Sequence, residues 1–270
     1  MKFCKTLPRY LKKEVRFFYS QRLDSMSGSE SPHLRLPDGT LDIVVCLRGA
    51  NYISKDGQRF GAMPEVALTG LYEDRCLFKN VEETWLVGAV LNPGYAHLLV
   101  NDELHGHAGT HDAADIFGSR VGLLREQIWE TVDEREKHIV LEQFLLSRLR
   151  KKAHEAPVLA IENAVRSIHE SFGNLPVRNL CEMHFMSERN FRRRFVEFVG
   201  IPPKTYAAIV RIKAYCMFRR GEGRSPDCID KLGFVDEPHL FREFRKIAGT
   251  TPGEFLRNAG YVSDQFLLNF

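Results

Sequence analysis

The chain has 270 residues, 44% of them hydrophobic and 27% charged, with a net charge of +3; this is the composition of one large or two ordinary globular domains in water. No apolar run approaches the ~18 residues that cross a bilayer, and the basic start MKFCKTLPRYLKKEVRFF lacks both a continuous apolar core and a cleavage site, so neither a membrane span nor a signal peptide is expected. Six cysteines without a C-x-x-C pair read as reduced, packed thiols of a cytoplasmic protein, which excludes a disulfide or zinc framework.

Residues 1–118 read as β-rich. The apolar runs Leu41–Leu47, Val66–Leu71 and Trp85–Leu91 are separated by turn chemistry at Pro37-Asp38-Gly39, Lys55-Asp56-Gly57 and Asn92-Pro93-Gly94. Strands at this spacing predict a barrel or small sandwich, able to enclose a small ligand. Trp85 and Asp42 are candidates to line such a pocket, although a tryptophan is more often core. His97, His105, His107 and His111, with Asp112 beside the last, form the one dense histidine cluster. A His-x-His pair on a strand suits zinc or iron. The segment HGHAGTHDAAD is rich in glycine and alanine, however, and reads as a loop, so neither a metal nor another cofactor is expected.

From Ser119 to Lys152 the apolar period becomes helical. Val121, Leu124, Ile128 and Trp129 make one stripe and Ile139, Leu141, Phe144, Leu145 and Leu149 another, broken at Asp133–Lys137. Two amphipathic helices fit, and their stripes suit a dimer seam as well as a core. The polar run Arg148–Glu155 marks a hinge, and we place the domain boundary near Ala153.

Only short helices follow. Residues 157–172 carry an apolar stripe closed by Gly173, and Val177–His184 is a second helix. Ser187–Phe198, reading SERNFRRRFVEF, splits into two faces. With Arg189 at zero, Arg192 and Arg193 lie at about 300° and about 40°, while Phe191, Phe195 and Phe198 lie near ~200°, ~240° and ~180°. Ser187 is a good N-cap. Gly200 and Pro202-Pro203 end this helix and begin a longer one, about Pro203–Arg220. Then the pattern repeats: FRRRFVEFVGIPPKTY and LFREFRKIAGTTPGEF share one frame, about 49 residues apart, which is a duplicated helix-turn-helix unit. Residues 156–260 hold 17 Lys/Arg against 12 Asp/Glu, an excess of +5, while the remainder carries −2; that asymmetry favours a polyanion for the C-terminal part.

Residues 233–255, GFVDEPHLFREFRKIAGTTPGEF, and the first unit with Met186-Ser187, Arg193-x-Phe195, Gly200, Pro203 and Tyr206, resemble the AraC/XylS family of bacterial transcription regulators. Residues 7–118 more loosely resemble one class of N-terminal domain on such regulators, through Leu36-Pro37-Asp38-Gly39, Asp42-Ile43-Val44 and the stretch Gly88–Gly94. Two positions depart from the pattern: Ile229 stands where a small residue is usual, and Pro238 removes a polar side chain from the second recognition helix.

The resemblance implies an α+β chain of two domains. Residues 1–152 would be a β-rich, barrel or cupin-like sensing and dimerisation domain with trailing helices. Residues 156–260 would be an all-α, double helix-turn-helix DNA-binding domain. It implies a cytoplasmic activator or repressor with double-stranded DNA as partner, and it admits RNA polymerase, a small-molecule effector and a second copy of the chain as others. Arg189, Arg192 and Arg193 would meet base edges, with Asn190 and Arg194 nearer phosphate. In the second unit Glu237, Phe241 and Arg242 occupy contact positions and Arg245 suits phosphate; Phe241 reads equally well as core. No catalytic residue is expected. The alternative of another class is a metal-dependent, cupin-type enzyme using the His97–His111 cluster.

Overall fold

The computed structural model describes residues 2–24, 32–73, 75–80, 82–100, 109–149, 156–221 and 227–257. The domain boundary at Ala153, and His105 and His107, lie outside them. The strands are β1 (Lys2–Thr6), β2 (Val15–Leu23), β3 (His33–Arg35), β4 (Leu41–Arg48), β5 (Asn51–Ser54), β6 (Gly61–Ala62), β7 (Val66–Gly70), β8 (Cys76–Asn80), β9 (Thr84–Leu91) and β10 (Gly109–Asp112). They form two antiparallel sheets, a six-stranded one ordered β1-β2-β9-β4-β7-β10 and a four-stranded one ordered β3-β8-β5-β6.

The three apolar runs are the strands β4, β7 and β9, as their composition predicts. Each is buried almost end to end because each is covered on both faces. Ile43, Val45 and Leu47 join the main core, whereas Val44 and Cys46 alternate onto the opposite face with Leu86. The stretch HGHAGTHDAAD corrects the loop reading in its described part. Gly109–Asp112 is the edge strand β10, pairing Thr110 with Thr69 and His111 with Leu68. Asp112 then caps the short helix α2 (Ala113–Phe117), following α1 (His97–Val100). Three hydroxyls fix that edge: Thr69, Tyr72 and Thr110 are mutually bonded at 2.7–2.9 Å.

Helices α3 (Arg120–Glu130) and α4 (Glu134–Arg148) are the amphipathic pair, and Asp133 caps α4 through the Arg135 and Glu136 N–H groups. Their inward residues Val121, Leu124, Ile128, Leu141 and Leu145 are buried against the large sheet. Trp129 departs from the stripe: it is half out in solvent, 6.1 Å from Trp85.

The C-terminal half is α5 (Ala156–Glu170), α6 (Val177–Met183), α7 (Glu188–Val199), α8 (Pro203–Gly221), α9 (Asp227–Lys231), α10 (Glu237–Ala248) and α11 (Pro252–Arg257). Its apolar residues and those of the β-rich half belong to one continuous buried cluster. Polar contacts cross the same seam, among them Tyr95 Oη donating to Glu162 on α5 at 2.7 Å.

His138 on α4 ties that helix to the large sheet, with Nδ1 2.8 Å from Thr6 Oγ1 and Nε2 2.8 Å from Ser20 Oγ. Burial pushes its pKa down to about 4. The unfolded chain takes up this proton near 6.5, so between those values the unfolded state binds more protons and stability falls as pH falls. We predict a loss of up to ~3 kcal/mol from this ring between about pH 6.5 and about pH 4. Thermal melts across that range should show His138→Gln losing less with acid than the wild type; equal acid sensitivity would contradict the assignment.

Candidate nucleic-acid interface

The two recognition helices are built alike, from the turn outward. After α6, the Phe185 N–H donates to Glu182 O and the Met186 N–H to Cys181 O; after α9, Gly233 and Phe234 make the same bonds to Asp230 and Ile229. This paired closure needs a residue at positive φ. Gly233 supplies it at +70° without strain, and Phe185 supplies it at +54° while standing 97% exposed. The next residue, Met186 or Phe234, turns inward onto the core. The second unit then inserts one extra residue, Val235, before its N-cap, which is why the caps Ser187 and Asp236 are 49 residues apart but the turns 48. Ser187 Oγ accepts from the Asn190 N–H and Asp236 Oδ1 from the His239 N–H. Each recognition helix ends on a left-handed glycine, Gly200 or Gly249.

On α7 the aromatic stripe is core: Phe191 and Phe195 are fully buried and Phe198 nearly so. Arg189, Arg192 and Arg193 stand exposed on the other side, with Asn190 and Arg194 half-buried at its flanks. Two glutamates that the wheel reading passed over organise this face. Glu188 takes Arg192 at 2.5 Å, and Glu197 takes Arg193 at 3.5 Å and Arg194 at 3.0 Å. Arg193 also donates to Asn190 Oδ1 at 3.3 Å. The signal was present in the sequence, since Glu188→Arg192 and Arg193→Glu197 are i,i+4 pairs. Among the described residues Arg189 has no partner. Exposed pairs of this kind are worth ~0–1 kcal/mol each, so they align the guanidiniums and release them cheaply to a stronger anion.

On α10 the buried side is Leu240, Phe244, Ile247 and Ala248. Glu237, Arg242 and Arg245 are exposed. Phe241, which the sequence left between core and contact, is 36% exposed and sits on the rim of the outer face. Lys246 is exposed on that face as well and extends its basic stretch. Pro238 occupies the first turn, where no N–H is required. His239 is structural, accepting from the Val235 N–H at 3.3 Å and lying edge-on to Phe234. Ile229 is half-buried against the core, so the departure from a small residue is absorbed by packing.

Helix α8 joins the units. Its 19 residues span about 28 Å. Phe195 meets Tyr206 on it with ring centroids 5.7 Å apart, and Phe244 meets Tyr215 at 6.3 Å. Arg211 reaches Glu243 on α10 at 3.4 Å.

In the β-rich half, Trp85 lines a half-open cavity of about 1080 Å³ with Phe3, Trp129, Arg22 and Lys137; the Arg22 guanidinium lies 4.0 Å over the Trp85 ring. Asp42 is placed elsewhere, in a buried ion pair with Arg35 at 2.8 Å. His97 lies on α1 and His111 on β10, and among the described residues no group of three or more His, Cys, Asp or Glu side chains is disposed to hold a metal. Among them, too, no helix is long and apolar enough to cross a membrane.

A family model described as a helix-turn-helix domain matches residues 180–258. The HTH-type transcriptional activator RhaR of Yersinia pseudotuberculosis is 26% identical over 117 residues, 41% of this chain; the chain spans 40% of that relative's length. Among solved structures, ToxT from Vibrio cholerae is 10% identical with a TM-score of 0.49, covering 95% of this chain and 98% of that one. The AraC-like transcriptional activator CuxR is 15% identical over 85% and 91%, with a TM-score of 0.27. These last likenesses are too loose to carry a function across. The duplicated turn, the two capped helices and the family match agree that residues 180–258 form a helix-turn-helix domain built of two units.

Proposed function

We propose that this chain is a cytoplasmic, sequence-specific, DNA-binding transcription regulator whose two recognition helices enter successive major grooves. The observation that carries the reading is the α7–α8–α10 arrangement: two capped helices, each with its aromatic side buried and its basic side bare, fixed to one spacer helix. Successive major grooves on one DNA face lie about 34 Å apart. Arginine pairs with guanine edges and with phosphates by the same bidentate geometry, so Arg189, Arg192 and Arg193 supply base contacts and Arg194, with Asn190, the flanking backbone. In the second unit Arg242 and Arg245 serve likewise, while Glu237 and the rim of Phe241 offer an acceptor for a cytosine amino group and an apolar surface for a thymine methyl.

The N-terminal domain is larger than DNA binding requires. We assign it to sensing a small effector and to pairing with a second copy. The cavity beside Trp85 is open enough to admit an effector. The α3–α4 hairpin, with Leu123, Trp129, Val132 and Leu146 exposed, is a face for dimerisation. RNA polymerase is the further partner such a regulator would meet. The reading assigns no catalysis to the chain.

The direct test is to titrate the full-length chain with labelled duplexes at rising salt. Affinity should fall steeply as counterions compete for the phosphates; affinity indifferent to salt would contradict phosphate-driven binding. The two helices should also contribute unequally. Arg192→Ala and Arg193→Ala are predicted to weaken specific binding by ~1–3 kcal/mol and to relax sequence choice in one half of the site. Phe241→Ala should cost less and leave melting unchanged, because the ring stands at the rim and not in the core. Wild-type binding by the arginine variants, with Phe241→Ala alone abolishing it, would reverse the hierarchy.

A further inference from the structure

The chain has two tryptophans, and both line the cavity of about 1080 Å³ at the edge of the large sheet. Trp85 comes from β9 and Trp129 from the end of α3, with ring centroids 6.1 Å apart and planes tilted by 32°. Sliding a ligand between two rings takes about 7 Å, van der Waals distance on each side, so these two present one joined aromatic surface instead. Phe3 of β1, Leu47 of β4 and Val132 of the α3–α4 connection extend it. Trp129 is 52% exposed and Val132 92%, so this apolar surface stands uncovered among the described residues.

The charged lining is weighted toward cations. Arg22, Arg135 and Lys137 stand there with Asp133 and Glu134, and both carboxylates are already engaged. Asp133 Oδ1 accepts from the Arg135 and Glu136 N–H groups as the cap of α4. Glu134 lies 3.7 Å from Arg22 in a half-exposed pair, of the kind that is easily exchanged. The Arg22 guanidinium also lies 4.0 Å over the Trp85 ring, so cation and aromatic surface adjoin. Lys137 is 8% exposed and donates to Thr131 O. An ammonium has further donors, and among the described residues Lys137 has no other hydrogen-bond partner. A cationic ligand would have to displace Arg22 from the Trp85 face beside that ammonium. An anion gains from both groups.

We propose that this cavity binds a small planar organic anion, its flat conjugated body against Trp85 and Trp129 and its carboxylate, or a similar group, held by Arg22 and Lys137. The proposal rests on the reading of the cavity as the effector opening and gives that effector a chemical class. Flat rings suit the joined indole surface because offset stacking adds to their area burial.

The test dialyses the full-length chain against three probes: coumarin-3-carboxylate, its neutral carboxamide, and cyclohexanecarboxylate, an anion without a flat ring. Since both tryptophans of the chain line the cavity, quenching of tryptophan emission reports occupancy of this site. Coumarin-3-carboxylate should bind once per chain, quench that emission, and bind at least about tenfold more tightly than either of the others. Arg22→Gln, at a half-exposed position, should bring the carboxylate down to the affinity of the carboxamide while leaving carboxamide binding and the melting temperature unchanged. Trp129→Leu should weaken carboxylate and carboxamide alike. Equal binding of acid and amide, acid binding unmoved by Arg22→Gln, or binding that leaves tryptophan emission unchanged would overturn the proposal. Probe binding that is lost as protein concentration rises would put a second copy in the cavity and overturn it too. A further titration, of a duplex selected by the wild type from a random-sequence pool, keeps the effector reading separate. A filled cavity that changes duplex affinity supports that reading; a filled cavity with duplex affinity unchanged would remove it and leave the binding site in place.

Discussion

One phenol ring holds the three parts of this molecule together. Tyr206, 1% exposed, sits in the first turns of α8 and meets Phe195 of the first recognition helix, His169 of α5 and the Gly39 turn of the β-rich domain. Burying an aromatic of this size contributes ~1.5–3 kcal/mol by area alone. Its placement matters more than that figure, since the same ring belongs to the packing of the first helix-turn-helix unit and to the seam with the β-rich half. Its buried hydroxyl is satisfied by His169 Nε2 at 2.7 Å, so the ring is packed away without leaving its polar atom unpartnered. The His169 ring is held neutral, burial pushing its pKa down to about 3; a proton there would place a charge at the junction of all three parts.

The outer face of α7 follows a different rule. Three arginines on one helical side repel one another, and the helix offsets this with Glu188 and Glu197 on either flank. Glu188, in the first turn, also opposes the positive end of the helix. The guanidiniums are thus aligned in the free protein by partners weak enough to surrender them. On the proposed reading, a phosphate or a guanine edge would replace such a carboxylate at little cost in order, because the side chains have already lost part of their rotamer freedom.

Much of this was legible in the sequence. The duplicated helix-turn-helix could be read because caps, left-handed glycines and aromatic spacing are local and occur twice. The strands β4, β7 and β9 could be read because turn residues bracket them. Strand β10 was missed, since Gly109–Asp112 owes its pairing to β7 and not to any β-propensity of its own. The seam was missed for a deeper reason. Gly39 has the sequence context of a turn residue and Tyr206 that of a helix's own packing; their contact links positions 167 residues apart, and no local pattern records it. Phe241 could not be resolved from the wheel because it lies at the border of the buried arc, where sequence spacing alone does not decide exposure.

The central claim is geometric: two helices, one spacer, two grooves. Hydroxyl-radical footprinting of the full-length chain on a selected duplex measures it directly. The account predicts two protected stretches per bound chain, on one face of the duplex and about 10–10.5 base pairs apart, the stretch read by α7 losing protection in Arg193→Ala. A single protected stretch, or two that stay unchanged in that variant, would contradict it.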